Sequence, residues 1–442
     1  MVSALYLGVD LGSSGLRIAL LAAAGAPGGQ PDDPVLSQEG PYVGPFEDPE
    51  AWRQGLIALL ATVPTALLRR VQAIAIDGTS GTLLACAADG SLLPAPLERA
   101  LPYHQACPEQ APEIAALLGA TPESPSHPSA STSGSLARAL RLRAMALGSP
   151  VSSGLLLRHQ ADWLTGWLLN DWRWGEEGNN VRLGWDLEKG QWLGGVARVL
   201  GSGMLPQIRP SGAVLGGLGA SAAAALGLPE TCQVVAGSTD ANAAVLAADP
   251  HDGDGVAVLG TTLVLKQFVP APLIGAGISN HRVAGRWLAG GASNAGAGIL
   301  RRFFDDDRIA ELSRQIDPKR PTGLNLRPLS RPGERFPVDD PALQPILEPR
   351  PVSDALYLQA LLEGLTAIEA SGWRRLRELG APLLERVISV GGGARNSQWR
   401  SLRVRALGIP VLNRPKRTAA LGMALLARAS CSMEAPIPSP RP

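Results

Sequence analysis

The sequence predicts an α/β protein of two similar halves facing each other across a central cleft. Three observations lead there. The 442 residues are about three times the length of a typical domain, room for two or three cores. The apolar runs are short and β-like, and most end in turns of small residues. The same succession of elements also occurs twice. A strand, small turn and strand occupy residues 4–22 and again 256–268; a strand and glycine-rich turn occupy 71–81 and again 387–396. Helical segments such as Leu356 to Leu379 would cover the sheets.

The elements follow in order. Ala4 to Val9 reads as a strand, Gly12-Ser13-Ser14-Gly15 as a turn and Leu16 to Ala22 as a second strand, a β-hairpin with an all-small turn. Gly25 to Pro49, rich in Gly, Pro, Asp and Gln, reads as a loop. Val71 to Ile76 is a strand ending in Asp77-Gly78-Thr79-Ser80-Gly81. Thr121 to Ser135, rich in Ser, Pro and Thr, is a second loop. Gln233 to Ala236 is a strand ending in Gly237-Ser238-Thr239-Asp240, followed by an Ala-rich helix to Ala248. Val256 to Leu259, the turn Gly260-Thr261-Thr262 and Leu263 to Phe268 form a second hairpin. Asp317 to Pro351, with its repeated prolines, is a third loop. Val387 to Val390 is a strand, then comes Gly391-Gly392-Gly393-Ala394-Arg395-Asn396, then a helix from Ser397 to Leu407. The tail after Ala429 is expected to fray. The domains are expected over residues 1–247 and 248–430, with a flexible tail over 431–442.

Composition excludes several classes of partner. Apolar residues make up 45% and charged residues 18%, a globular balance. Forty basic against 39 acidic side chains leave a net charge of +1. No overall field draws in nucleic acid or an anionic membrane. The N-terminus has no basic n-region, and Asp10 interrupts its apolar stretch, so it does not read as a signal peptide. The stretch Leu215 to Leu228 is too short to span a bilayer. Cys86, Cys107, Cys232 and Cys431 form no CxxC pair, and the five histidines form no HxxxH pair. Neither a zinc site nor a disulfide framework is expected, and a reducing cytoplasm is the expected compartment. The expected partners are small molecules, with the chain a monomer or homodimer.

The chemistry sits in the turns. Small residues let ligand oxygens approach backbone N–H groups, and several N–H groups pointing into one concavity bind phosphate. Any one such turn is ordinary; four in one chain point to a polyphosphate. A P-loop is excluded, because none of Lys189, Lys266, Lys319 and Lys416 follows a glycine. A dinucleotide fingerprint fails at Asn396 and again at neutral Asn413. Asp10 closes the first strand, where a carboxylate can hold Mg²⁺ beside phosphates. Asp240 ends a strand and opens a helix. It can cap that helix or act as a general base toward a hydroxyl attacking a phosphoryl group. Asp77 is similarly placed, and its neighbours Thr79 and Ser80 read as substrate hydroxyl contacts. The six tryptophans Trp163, Trp167, Trp172, Trp174, Trp185 and Trp192 read mainly as packing.

Leu7-Gly8-Val9-Asp10-Leu11-Gly12-Ser13-Ser14 resembles the first phosphate motif of the superfamily of sugar kinases, heat-shock chaperone ATPases and actin. Gly237-Ser238-Thr239-Asp240-Ala241 resembles the catalytic Gly-x-x-Asp-Ala motif of the FGGY carbohydrate kinases. Gly260-Thr261-Thr262 resembles that family's second phosphate hairpin, Gly391 to Asn396 its adenosine motif, and Gly290 to Gly296 a further nucleotide-side segment. Five motifs in family order run from about residue 4 to 429.

The resemblance implies two ribonuclease-H-like domains, with sugar on the first and ATP mainly on the second. It implies Asp240 as catalytic base and Asp10 as organiser of Mg²⁺ and contact of the reacting hydroxyl. Asp10, Thr79, Ser80 and Asp240 would contact sugar. Gly12, Ser13, Ser14, Gly260, Thr261, Thr262, Gly291, Asn294, Gly392, Gly393 and Asn396 would contact ATP. The segment Asp77 to Thr82 is similar to that of the plant and cyanobacterial ketopentose kinases, which implies D-ribulose as substrate, with D-xylulose or a polyol as the alternative. Thr418-Ala419-Ala420 stands where the family has Glu-Ala-Ala, a departure at that glutamate. A reading of another class is an actin- or chaperone-like ATPase without sugar kinase activity.

Overall fold

The hairpin predicted at the N-terminus nucleates the first of two matching sheets. The computed structural model describes residues 3–24, 33–119, 127–147 and 154–433. Strands β1 (Leu5–Leu11) and β2 (Leu16–Ala22) pair antiparallel, with Asp10 opposite Arg17 and Leu11 opposite Leu16. To them are added β3 (Leu36–Gly40), β4 (Val71–Gly78), β5 (Val214–Gly217) and β6 (Gln233–Thr239), in the spatial order β5-β6-β4-β1-β2-β3. β1, β4 and β6 run parallel. Nearly all their residues are buried and most are apolar, as expected for strands covered on both faces.

The second sheet repeats the plan. Its strands are β7 (Asp254–Leu259), β8 (Leu263–Val269), β9 (Ile278–Val283), β10 (Arg286–Ala292), β11 (Arg386–Val390) and β12 (Val411–Asn413), in the order β9-β10-β8-β7-β11-β12. β7 is antiparallel to β8 and parallel to β11, as β1 is to β2 and β4. The internal repeat read from the sequence is therefore a repeat of topology. Two mixed α/β units of one plan result.

The chain divides into two compact units. One holds the described residues up to Ala247, Arg282–Gly285 and the described residues from Thr418 onward; the other holds Ala248–His281 and Arg286–Arg417. In the first unit, helix α1 (Pro49–Ala61) starts at the cap Asp48, whose carboxylate accepts the Glu50 N–H at 3.0 Å. It buries Trp52, Leu56, Leu59 and Leu60 at helical spacing. Helices α2 (Ser135–Ala146), α3 (Gln160–Leu169) and α4 (Asp240–Ala247) also belong to this unit. In the second unit, α5 (Asp354–Glu378) and α6 (Ser397–Leu407) pack on the sheet through Leu358, Leu361, Leu365 and Leu402.

Several sequence expectations are corrected. The loop expected over Gly25 to Pro49 contains β3, and Pro49 already opens α1. β3 is half-exposed, so its apolar pattern is faint. Residues 25–32 of that stretch and 121–126 of the second expected loop lie outside the described residues. The expected fraying after Ala429 begins too early: helix α7 (Ala419–Met433) continues past it, and residues 434–442 lie outside the described residues. α7, expected in the second domain, packs in the first unit, where Met423, Leu426 and Ala427 meet Tyr6, Ala73, Ala75, Val235 and Ala243. The third expected loop carries no helix or strand. Trp163, Trp167 and Trp172 are core residues. The guanidinium groups of Arg173 and Arg209 both lie against the Trp174 ring, and Trp185 packs edge-on against Trp192. Among the described residues, no helix is long and apolar enough to cross a membrane.

Candidate active site

The carboxyl ends of β1, β4 and β6 bring three aspartates of the first unit into mutual electrostatic reach. Asp10 and Asp77 are direct neighbours in the parallel register, and Asp77 in turn faces Ser238 of β6. The ends of parallel strands are where open α/β sheets bind ligands. Gly237 lets β6 close onto β4: a Cβ there would stand 1.7 Å from the Ile76 carbonyl oxygen. The register shifts at this point, which turns Ser238 toward Asp77 and delivers Asp240 at the start of α4.

Each carboxyl has a different environment. Asp10 accepts a charged hydrogen bond from Arg17 Nη1 at 3.1 Å. Burial pushes its carboxyl up, against the pull of Arg17. Asp77 is fully buried, and the group its carboxyl meets is the Asp10 carboxyl, within hydrogen-bonding reach on the next strand. Burial first, then the charges of Asp10 and Asp240, hold it well above the ordinary carboxylate range. Asp240 is half-exposed and is pushed up to about 6 by burial, with Asp10 adding to the rise. The N–H groups of Ala241 and Ser80 donate to it and pull the other way. A carboxylate poised near neutral pH, open on one side and oriented by two N–H donors, is suited to general-base work.

Ser80 and Thr79 have separate fates. Ser80 reaches Asp240 through its backbone. Thr79 is buried with its hydroxyl spent, bonded to Gln160 Oε1 at 2.8 Å and to Thr82 Oγ1 at 2.6 Å. Gln160 Nε2 donates to Tyr42 Oη at 3.4 Å, and Tyr42 donates to the Gly12 carbonyl at 2.7 Å. This relay ties the Gly12-Ser13-Ser14 turn to the segment after β4. Sequence reasoning missed Arg17, Tyr42 and Gln160. Arg17 alone left a signal: a hairpin with a four-residue turn places it opposite Asp10.

The expected nucleotide contacts lie in the second unit, apart from Gly12, Ser13 and Ser14. Gly260, Thr261 and Thr262 form the β7–β8 turn. The carbonyls of Gly260 and Thr261 accept the N–H groups of Ala297 and Gly298 at 2.9 and 3.2 Å. Gly392 stands open, with nothing within 4 Å of where a Cβ would be. Gly393 packs against Trp399 and Leu259. Asn396 caps α6, accepting the Trp399 N–H at 2.9 Å and donating to Ser313 Oγ at 2.9 Å. Asn294 donates to the Gly333 carbonyl at 2.9 Å. Gly291 lies inside β10, where a Cβ would stand 2.3 Å from the Phe336 ring. Its smallness serves that packing.

The donor set around Asp10 fits a hard divalent cation. Asp10 and Asp77 stand side by side and the Ser238 hydroxyl has no hydrogen-bond partner, and Mg²⁺ takes one or two carboxylates while keeping several waters. Among the described residues, no group of three or more His, Cys, Asp or Glu side chains is placed to hold a metal ion, so a cation at Asp10 would rely on water and phosphate oxygens.

Residues 255–431 match the C-terminal domain of the FGGY family of carbohydrate kinases. Solved structures share the fold across almost the whole chain. A "xyloylose kinase" from Brucella ovis is 19% identical over 97% of this chain and 91% of its own, with a TM-score of 0.77. A xylulose kinase from Rhodospirillum rubrum is 20% identical over 98% and 91%, also at 0.77. A Plasmodium falciparum glycerol kinase solved with ADP is 15% identical over 98% and 90%, at 0.76.

Proposed function

We propose that this chain, which has the fold of the FGGY carbohydrate kinases, transfers a phosphoryl group from ATP to a hydroxyl of a small sugar or polyol. The observation that carries this reading is Asp240, raised to about 6 at the junction of β6 and α4, beside Asp10 and with Ser80 N–H directed at it. Asp240 takes the proton of the attacking hydroxyl, a contribution of about 10²–10⁴-fold. Ser80 N–H fixes the carboxylate while it does so. Arg17 orients Asp10 and opposes the rise that burial imposes on its carboxyl. Gly12, Ser13, Ser14 and the turns at Gly260–Thr262 and Gly392 offer backbone N–H groups to the phosphates. Mg²⁺, held by Asp10 when bound, supplies positive charge to the phosphate oxygens.

The substrate class is a ketopentose or polyol. The named structural neighbours act on xylulose and glycerol, which supports the D-xylulose or polyol alternative over D-ribulose. The resemblance of Asp77 to Thr82 favours D-ribulose but rests on one short segment, in which Thr79 has no free hydroxyl. ADP release measured over D-xylulose, D-ribulose, glycerol and a set of aldoses tests the reading. Stimulation by a ketopentose or polyol is expected. ATP hydrolysis that no sugar stimulates would replace this reading with the chaperone- or actin-like ATPase.

A further inference from the structure

A cavity of about 490 Å³ lies in the second unit, between the segment 321–343 and the helices α5 and α6. Its volume is within the range of small-molecule sites. Neither Gly260–Thr262 nor the Gly391–Asn396 turn lines it. The walls are mostly apolar, with Leu326, Val338, Ile368 and Leu402. Four charged residues also reach it: Arg327, Glu334, Glu363 and Arg405.

These four are not equivalent. Glu363 is committed to Thr322, Gln359 and Arg405. Glu334 is committed to Ser293 Oγ at 2.5 Å, the Asn294 N–H at 2.7 Å and the Arg335 N–H at 2.9 Å. The arginines keep spare donors. Arg327 donates to the Gln344 carbonyl, and Arg405 to the Pro318 carbonyl and Glu363, whereas a guanidinium has five N–H groups. The cavity therefore offers an apolar interior and surplus positive donors.

One wall is wired to the phosphate turn. Ser293 and Asn294, held by Glu334, precede Ala295, whose carbonyl accepts the Leu263 N–H at 2.7 Å; beyond Gly296, the N–H groups of Ala297 and Gly298 donate to the carbonyls of Gly260 and Thr261. Hydrogen bonds along one short stretch of chain thus connect Glu334 with Gly260–Thr262.

We propose that this cavity is an effector site for a small organic anion with an apolar body, and that its occupancy changes nucleotide affinity. The second half rests on the reading of Gly260–Thr262 as a nucleotide contact; the first does not. Anilinonaphthalene sulfonate is a suitable probe, titrated by fluorescence into the full chain without nucleotide. One dye per chain is expected. Ala367 and Ala406 lie on exposed helix positions at the cavity lining. Ala367→Trp and Ala406→Trp should each weaken the dye about ten-fold, some 1.4 kcal/mol, with thermal unfolding unchanged. The neutral N-phenylnaphthylamine should bind about ten-fold more weakly than the sulfonate. Dye binding unaffected by both variants, or displaced competitively by ATP, overturns the site; equal binding of the neutral dye overturns its anion preference. Saturating dye should shift the ATP dissociation constant about five-fold or more in the parent and not in Ala367→Trp. No shift overturns the effector role, whereas failure of ATP to bind at all, dye or no dye, would count against the kinase reading instead.

Discussion

Asp77 lies directly beside Asp10 on the adjacent parallel strand, fully buried, with its carboxyl in hydrogen-bonding reach of the Asp10 carboxylate. Its folded-state pKa is well above 3.8, so the folded chain retains a proton that the unfolded chain releases. Stability from this group is complete below the unfolded value near 4 and is lost as pH rises toward the folded one. Asp77→Asn removes that dependence. As the pH rises above the unfolded value near 4, the parent's stability to thermal unfolding should weaken more steeply than that of the variant. Parallel slopes for the two proteins would show that Asp77 is ionised at no cost.

Asp240 predicts the pH dependence of turnover. The base must be ionised, so kcat/KM should fall below about pH 6, the value to which burial and Asp10 raise it. Asp10→Asn removes a neighbouring charge and should move the limb to lower pH, even as it lowers the rate. Asp240→Ala should lose about 10²-fold or more in kcat and still bind ATP by calorimetry. Turnover near the parent level in Asp240→Ala would assign the proton to another group.

The repeat and the role-bearing turns were legible because they are local. A strand, a run of small residues and a second strand declare a hairpin within twenty residues, and Asp240 stands at a change from period two to helical spacing. What escaped the sequence was set by distant chain. Thr79 looks free until Gln160, 81 residues on, takes its hydroxyl. Gly291 reads as a ligand-facing glycine until the Phe336 ring is laid over it. α7 adjoins the second domain in sequence, yet its Met423, Leu426 and Ala427 fit against Tyr6, Ala73 and Ala75 of the first. β3 was hidden because a half-exposed strand shows little apolar alternation.

Asn396 separates a structural role from a nucleotide contact. Its amide is spent on Trp399 N–H and Ser313 Oγ. Asn396→Ala should cost about 1 kcal/mol through loss of the cap, and Asn396→Ser, also a good cap, only a few tenths. ATP affinity in Asn396→Ser should then stay within about two-fold of the parent, below the ±0.5 kcal/mol of a neutral change. A stable Asn396→Ser protein with strongly weakened ATP binding would return the side chain to the nucleotide.

The helix that Asn396 caps is anchored from below by a buried ion pair. Arg403 of α6 donates Nε and Nη2 to the two carboxylate oxygens of Glu369 in α5, at 2.5 and 2.7 Å, and Nη1 to Ser389 of β11 at 2.6 Å. Trp373 Nε1 completes the shell of Glu369 at 3.1 Å. Both ions are essentially without solvent, so removing one leaves the other uncompensated. Arg403→Met should cost about 3–5 kcal/mol in urea unfolding, more than a cap or a surface pair provides. Glu369→Leu with Arg403→Met should recover much of that loss, because the desolvation cost of both charges disappears together. The single variant should also raise the KM for ATP, because Ser389 of β11 and α6 flank the Gly391–Asn396 turn. A single variant as stable as the parent, or a double variant no better than the single, would mean that the pair does not hold α6 in place.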